Sequence, residues 1–476
     1  MATRTDVRGF LAAARERLRG RASGTSFFGD LKVVLAERGF RRLFGTRLVS
    51  QAGDGMFTAG LGTYVFFNAT TFPNPVKAAG AFAVLYLPYS LIGPFAGVFI
   101  DRVSRRQILV WSALLRALFV SLTASLVASG NLGVPLYVGV LAVLGLDRFF
   151  LSSLSAALPH VVAADKLVMA NSVAPTSGTI VSFLGGFAGL GLHLVTGGGR
   201  GGSALTLLVA GGCYVAAGAV GATMPRDLLG PDRAEVERHR AGMLTELGLI
   251  AVGLAAGARH VMQRRQAAAA LLATGCQRAM YGILFLMSIL LYRNYFFHSS
   301  ANNALAHFTL VVAAAALGYG AAAIVIPVVT GWLPPARLIA VLLVMAGVVS
   351  GPLGAMFSQP PFLVISFTLG LAAQGVAIAA TTILQREVAD DFRGRVFSFY
   401  DMLFNVPFVI GAAAGAAFMP ATGKSYLLVG VAGGGYVLGG LTYSLIIRQP
   451  PAGGGAPSRP AGSSASPSAS AQRTSS

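Results

Sequence analysis

Twelve stretches of mainly apolar residues, each long enough to cross a hydrocarbon core that needs roughly 20 such residues, constrain this chain more than any other feature. They run over residues 44–70, 78–100, 107–129, 134–157, 172–196 and 203–224, and then over 268–292, 306–331, 336–357, 361–385, 396–419 and 425–447. Segments of this length and spacing cannot all be buried inside one soluble domain, and helices are the economical way to cross lipid because every backbone hydrogen bond closes within the segment. The expectation is therefore an all-α membrane protein with twelve transmembrane helices in two pseudo-symmetric six-helix bundles, residues 44–224 and 268–448. A 55% apolar and 11% charged composition over 476 residues excludes the ordinary set of soluble domains.

The remaining segments are of different character. Residues 1–43 hold ten Arg or Lys and only a five-residue apolar run, too short for a signal peptide. They read as a cytoplasmic tail with some amphipathic helix, with an Arg-rich transit peptide as the alternative. The connection over 225–267 is basic, and its apolar patch over 247–256 is too short to span, so it predicts a helix lying on the bilayer surface. From 449 to 476 the chain is Pro, Gly, Ala and Ser, which predicts a disordered tail.

Charge then gives orientation. The net +19 would suggest nucleic acid in a soluble protein, but basic residues retained beside cytoplasmic span ends explain it without any nucleic-acid partner. With the N-terminus inside, 28 of the 36 Lys and Arg fall on the cytoplasmic side, and four (Lys77, Arg200, Arg293 and Lys424) fall outside. Both termini are expected in the cytoplasm of a cell whose plasma membrane the chain spans.

Seven charged residues break the apolar spans: Arg47, Asp54, Arg116, Asp147, Arg148, Arg278 and Asp401. Charges in a span are expensive and must face a cavity or a partner. At 1.5 Å rise per residue, Asp54, Arg116, Arg148 and Arg278 lie about 14–17 Å from the cytoplasmic end, near mid-bilayer. Either they line a substrate or proton path, in which Asp54 exchanges a proton while an Arg tunes it or holds an anionic group, or they form ion pairs that fix helix packing. Sequence leaves open which carboxylate meets which guanidinium. Aromatic residues in the spans, Tyr86, Tyr89, Tyr281 and Phe285 among them, read as packing or as the lining of a path.

The most specific motif is GPFAGVFIDRVSRRQIL between the second and third spans, where Gly97, Asp101, Arg102, Arg105 and Arg106 have the spacing G-x-x-x-D-R-x-x-R-R. This resembles motif A of the major facilitator superfamily, with Ser104 where the family usually has Gly, and the six-plus-six layout agrees over about residues 40–448. The resemblance implies a gate: Asp101 faces the start of the eleventh span, after Phe392, Arg393, Gly394 and Arg395, and Arg102, Arg105 and Arg106 hold the two halves shut on the cytoplasmic side. Arg148 in DRFFLSS is similar to the Arg of motif B, although Leu151 and Ser152 replace the usual Gln and Gly. Gly185 and Gly186 stand in the fifth span without the Gly-Pro pair of the antiporter motif C, which weakens proton antiport. The segments QREVADDFRGRVFSFYDMLFN and RAMYGILFLMSILLYRNYF resemble the macrolide-efflux-like branch of drug exporters, particularly actinobacterial members.

Other chemistry lacks support. Gly423, Lys424 and Ser425 imitate the end of a phosphate-binding loop, but Phe418 stands where the first Gly is required. None of the six His falls in a His-Glu-x-x-His pattern, Cys213 and Cys276 give no disulfide framework, and no cofactor, metal or enzymatic reaction is expected. The reading is a secondary transporter that exports a hydrophobic or amphipathic small molecule, a drug or secondary metabolite, by alternating access, with protons as the candidate coupling ion. A facilitator or importer of a small solute, and a transport-inactive receptor or scaffold, are the alternatives.

Overall fold

A computed structural model describes residues 35, 37–67, 74–92, 103–162, 167–225, 228–229, 243–330, 332–388 and 390–448. The expectations for most of the N-terminal tail, for the 449–476 tail and for Gly97, Asp101 and Arg102 fall outside them.

The described residues form helices and no strand. In the first half these are α1 (Arg38–Phe66), α2 (Pro75–Ile92), α3 (Arg105–Ala128), α4 (Val134–Ala157), α5 (Leu167–Val195) and α6 (Gly199–Ala222). A separate helix, α7 (Met243–Met262), lies in the connection. The second half holds α8 (Arg265–Leu290), α9 (Ala301–Val329), α10 (Pro335–Gly354), α11 (Gln359–Glu387), α12 (Asp390–Phe418) and α13 (Tyr426–Arg448). Among the described residues α7 is not long and apolar enough to cross a membrane, and neither are α1 and α2, expected from the sequence as the first two of twelve spans; the other ten helices are. Their outward faces carry exposed large apolar residues such as Trp111, Leu118, Ile324 and Leu438, as a surface in contact with lipid requires. The chain ends α8 with a π-helical turn, Leu291–Phe296, that buries Arg293 at 2% exposure. The sequence placed that arginine in an outside loop; the helix runs on far enough to fold it inward, where its Nη1 donates to His298 O at 3.4 Å.

Packing repeats between the halves. In the first, α1 packs on α5 and α6, α3 on α4 and α6, and α2 on α4; in the second, α8 packs on α12 and α13, α10 on α11 and α13, and α9 on α11. The same crossing geometry recurs in detail. A Cβ on Gly55 would strike Ser182 O and one on Gly185 would strike Ala52 O, so α1 and α5 touch backbone to backbone. In α8 and α12 the corresponding pair is Gly282 against Phe408 O and Gly411 against Ala279 O. Each glycine meets a carbonyl three residues from its partner glycine on the facing helix. Close approach of this kind supplies the van der Waals contact that replaces hydrophobic driving force in lipid. The halves meet through α2 on α12 and α8 and through α5 on α9, while α7 packs against α12 and α8.

Candidate functional site

The crossings that bring α1, α3, α4 and α6 together also bring their polar residues into one buried cluster. Arg116 on α3, 1% exposed, is its centre. Its Nη2 is paired with Asp54 Oδ1 on α1, its Nη1 lies 3.2 Å from Asp147 Oδ1 on α4, and Nη1 also donates to Ser50 Oγ at 2.9 Å. Asp54 accepts two further bonds, from Tyr214 OH on α6 at 2.9 Å and from Gln51 Nε2 at 2.8 Å. The Arg116 guanidinium lies over the Tyr214 ring, 3.9 Å from its centroid, with Phe150 on another side at 5.7 Å. Two carboxylates thus share one guanidinium, and Arg47 and Arg148 also act on Asp147 electrostatically.

Sequence had singled out Asp54, Arg116 and Asp147 without pairing them. It had not found Ser50, Gln51 or Tyr214. Gln51 was legible in part, because three residues before Asp54 places it on the same helix face. Tyr214 was not, because only the α1–α6 crossing sets its hydroxyl against Asp54.

The remaining charges take other places. Arg47 lies against α5, so that a Cβ on Gly178 would come within 2.9 Å of its Nε. Asp401 on α12 does not join the cluster; the residue is exposed, and Arg148, in the opposite half, acts on it electrostatically. Of the motif arginines, Arg105 is 3% exposed and reaches Leu229 O at 3.3 Å and the His160 ring at 3.3–3.4 Å, while Arg106 Nη2 donates to Ala222 O at 2.6 Å. These contacts tie the start of α3 to the ends of α4 and α6 and to the beginning of the connection.

Arg278 on α8 stands apart. It is 8% exposed, and its Nε donates to Phe404 O at 2.6 Å. Rings surround its guanidinium: Phe404 at 4.0 Å, Phe408 at 5.1 Å and Tyr281 at 5.4 Å. Among the described residues no carboxylate forms an ion pair with it. Cation–π contacts of about 0.5–2 kcal/mol each and the bond to Phe404 O are set against a desolvation cost of several kcal/mol for a buried ion.

Between the halves lies a cavity of about 430 Å³. Its wall is mostly apolar and aromatic, with Phe66, Phe82, Phe187, Phe285 and Phe308, and includes a few polar groups such as Gln51, Thr58, Ser182 and Thr309. Gln51 therefore belongs to both the cavity wall and the ion cluster. On one side, Tyr86 and Phe82 of α2 meet Phe408 of α12 at 5.1 and 5.4 Å, and Tyr281 stacks on Phe285 at 5.7 Å, so one aromatic layer separates the cavity from Arg278. Tyr86 and Phe285, two of the aromatics picked out in the sequence, line the cavity; Tyr281 lies behind them, and the side chain of Tyr89 is outside the described set.

Comparison with known proteins accords with this geometry. Two proteins described as uncharacterized MFS-type transporters, from Mycobacterium bovis and Mycobacterium tuberculosis, are each 36% identical over 412 residues, spanning 86% of this chain and 91% of theirs. Among solved structures, the nucleoside transporter NupG aligns with a TM-score of 0.60 at 14% identity, covering 87% of this chain and 100% of that one. The peptide transporter POT in complex with sulfate aligns at 0.60 and 15% identity, covering 86% and 94%. A bacterial homologue of the human lysosomal transporter Spinster aligns at 0.58 and 12%, covering 87% and 98%. At such identities these structures speak for the fold alone. The Major Facilitator Superfamily model matches residues 43–412, and the chain is a multi-pass membrane protein that belongs to that transporter family.

Proposed function

We propose that this transporter exports a hydrophobic or amphipathic small molecule by alternating access, with proton exchange at the Asp54–Arg116–Asp147 cluster as the driving event. Residues 44–224 and 268–448 act as the two rocking bodies about the central cavity, in a plasma membrane with both termini cytoplasmic. The observation that carries the reading is the double role of Gln51, which lines the cavity and donates to Asp54 at 2.8 Å. A molecule seated in the cavity displaces or reorients the Gln51 amide, which changes the hydrogen bonding of Asp54. Protonation of the cluster reverses the change, because an uncharged carboxyl no longer holds Arg116 between two anions. Binding and proton load are thereby linked through one side chain, which is the reciprocal coupling that exchange requires. The apolar and aromatic wall supports a substrate with an apolar body.

The motif A residues Gly97, Asp101, Arg102, Arg105 and Arg106 form the cytoplasmic gate in this reading. Arg105 and Arg106 stiffen the first body at the hinge of that gate through their contacts to Leu229, His160 and Ala222. The test is flux into reconstituted vesicles under an imposed pH gradient, with a panel of lipophilic compounds. Accumulation driven by the gradient in the unmodified protein and lost in Asp54→Asn supports the proposal. Flux that ignores the gradient and survives the substitution overturns the coupling; no flux across the panel overturns the export.

A further inference from the structure

The geometry points to Arg278 as a binding site for the anionic head group of the transported molecule, which makes the substrate an amphipathic organic anion: an oxyacid group such as a carboxylate, sulfonate or phosphate on an apolar body. The inference rests on the transport reading and narrows its substrate class.

Three observations carry it. First, the repeat between the halves places Arg278 four residues before Gly282 on α8, as Gln51 stands four residues before Gly55 on α1. In α1 the residue three positions on is Asp54, which accepts from Gln51; in α8 it is Tyr281, so the second half has a cation where its counterpart has a neutral amide, and no acid beside it. Second, the guanidinium is held in place without being neutralised. Its Nε is fixed to Phe404 O and its plane is confined by Phe404, Phe408 and Tyr281, which leaves the two Nη groups, the fork that grips an oxyanion in two parallel bonds, without an ion-pair partner among the described residues. The tyrosines Tyr86, Tyr281, Tyr400 and Tyr436 lie within electrostatic range of it. Third, the cavity lies one aromatic layer away. Tyr86 and Phe408, in contact at 5.1 Å from opposite halves, stand between the two, so a rocking that separated α2 from α12 would join the cavity to Arg278. An apolar body among Phe82, Phe285 and Phe308 then places an anionic head at Arg278. Such a ligand supplies the counter-charge that the fold omits, whereas a cationic or neutral one leaves Arg278 uncompensated.

The test is equilibrium binding to the full chain in nanodiscs of zwitterionic lipid, comparing 2-naphthoate with its neutral analogue 2-naphthamide. The expected result is at least about tenfold tighter binding of the anion, as for a hydrogen-bonded buried charge, with the two ligands made equal by Arg278→Gln and part of the preference kept by Arg278→Lys. Adding an anionic phospholipid to the nanodiscs separates the two sources of such a head group: competition with naphthoate that Arg278→Gln abolishes identifies a lipid, and its absence identifies a soluble amphiphile. Equal affinities in the unmodified protein, an anion preference that persists in Arg278→Gln, or no binding of either ligand would overturn the inference. If Arg278→Gln does not fold, the affinity ratio in the unmodified protein and its change in Arg278→Lys still decide. Flux that is retained while the ratio is one removes only this inference and leaves the transport reading standing.

Discussion

Tyr214 holds both members of a buried ion pair: its hydroxyl donates to Asp54 Oδ1 at 2.9 Å, and its ring lies 3.9 Å below the Arg116 guanidinium that grips the same oxygen. A side chain from α6 thereby fixes an acid on α1 against a base on α3. The arrangement ties three helices of the first half together through one ion pair.

If Arg116 neutralises two acids, its removal leaves a buried Asp147 and a half-buried Asp54 without that counter-charge. Arg116→Leu is expected to destabilise the protein by about 3–5 kcal/mol, and Arg116→Leu combined with Asp54→Asn and Asp147→Asn to recover most of that loss. Thermal unfolding of the purified proteins in one detergent gives the comparison. A triple variant no more stable than Arg116→Leu would mean that the guanidinium acts by packing and not by charge.

The hydroxyl of Tyr214 has a separable value. Tyr214→Phe keeps the ring under Arg116 and deletes one donor to a charged acceptor, an expected loss of about 1.5–3 kcal/mol. Tyr214→Leu removes the cation–π contact as well and should fall further, by about 1 kcal/mol or more. The same unfolding assay ranks them; equal losses in the two variants would deny the ring a role.

Gln51→Leu tests the link between cavity and cluster. The side chain stays apolar and of similar bulk, so substrate affinity is expected to change by less than about threefold, while accumulation driven by a pH gradient falls at least about tenfold. Paired binding and vesicle-flux measurements would reveal the split. A proportional fall in both would make Gln51 a substrate contact and nothing more.

The glycine crossings predict a matched pair of failures. Gly55→Ala and Gly282→Ala each drive a methyl group into a backbone carbonyl, of Ser182 and Phe408 respectively, and neither helix can yield without opening its half. Both should lower the yield of folded protein, whereas Gly62→Ala, with nothing within 4 Å, should be neutral or stabilising by up to about 1 kcal/mol through helix propensity. Monodisperse yield by size exclusion is the readout. Tolerance of Gly55→Ala would deny the close contact of α1 and α5.

For the motif A gate, Asp101→Asn is expected to shift the population towards inward-open states without loss of membrane insertion. Labelling of single cysteines placed at the two cavity ends reports the shift, and identical accessibility in variant and parent would remove Asp101 from the gate.

Much of the fold was legible because lipid imposes its own grammar. Asp54, Arg116, Asp147 and Arg278 stood out as charges in apolar runs, and the two sets of six spans followed from the length that a bilayer demands. The motif around Asp101 carried the family, and the family match over residues 43–412 agrees with it. The burial of Arg293 was not legible, because it follows from the π-helical turn after Leu290, which folds the side chain into the protein.

By itself, then, the sequence determined that the chain is an all-α membrane protein and which few charges interrupt its apolar helices, because apolar length and the cost of a charge in lipid are properties of segments taken one at a time. Only the tertiary structure decided that Asp54 and Asp147 share Arg116 while Arg278 has rings and no acid around it. Ion pairing depends on which helix faces cross, and those faces are set by backbone contacts at Gly55, Gly185, Gly282 and Gly411 between residues more than a hundred positions apart. No property of a single segment encodes that choice of neighbour.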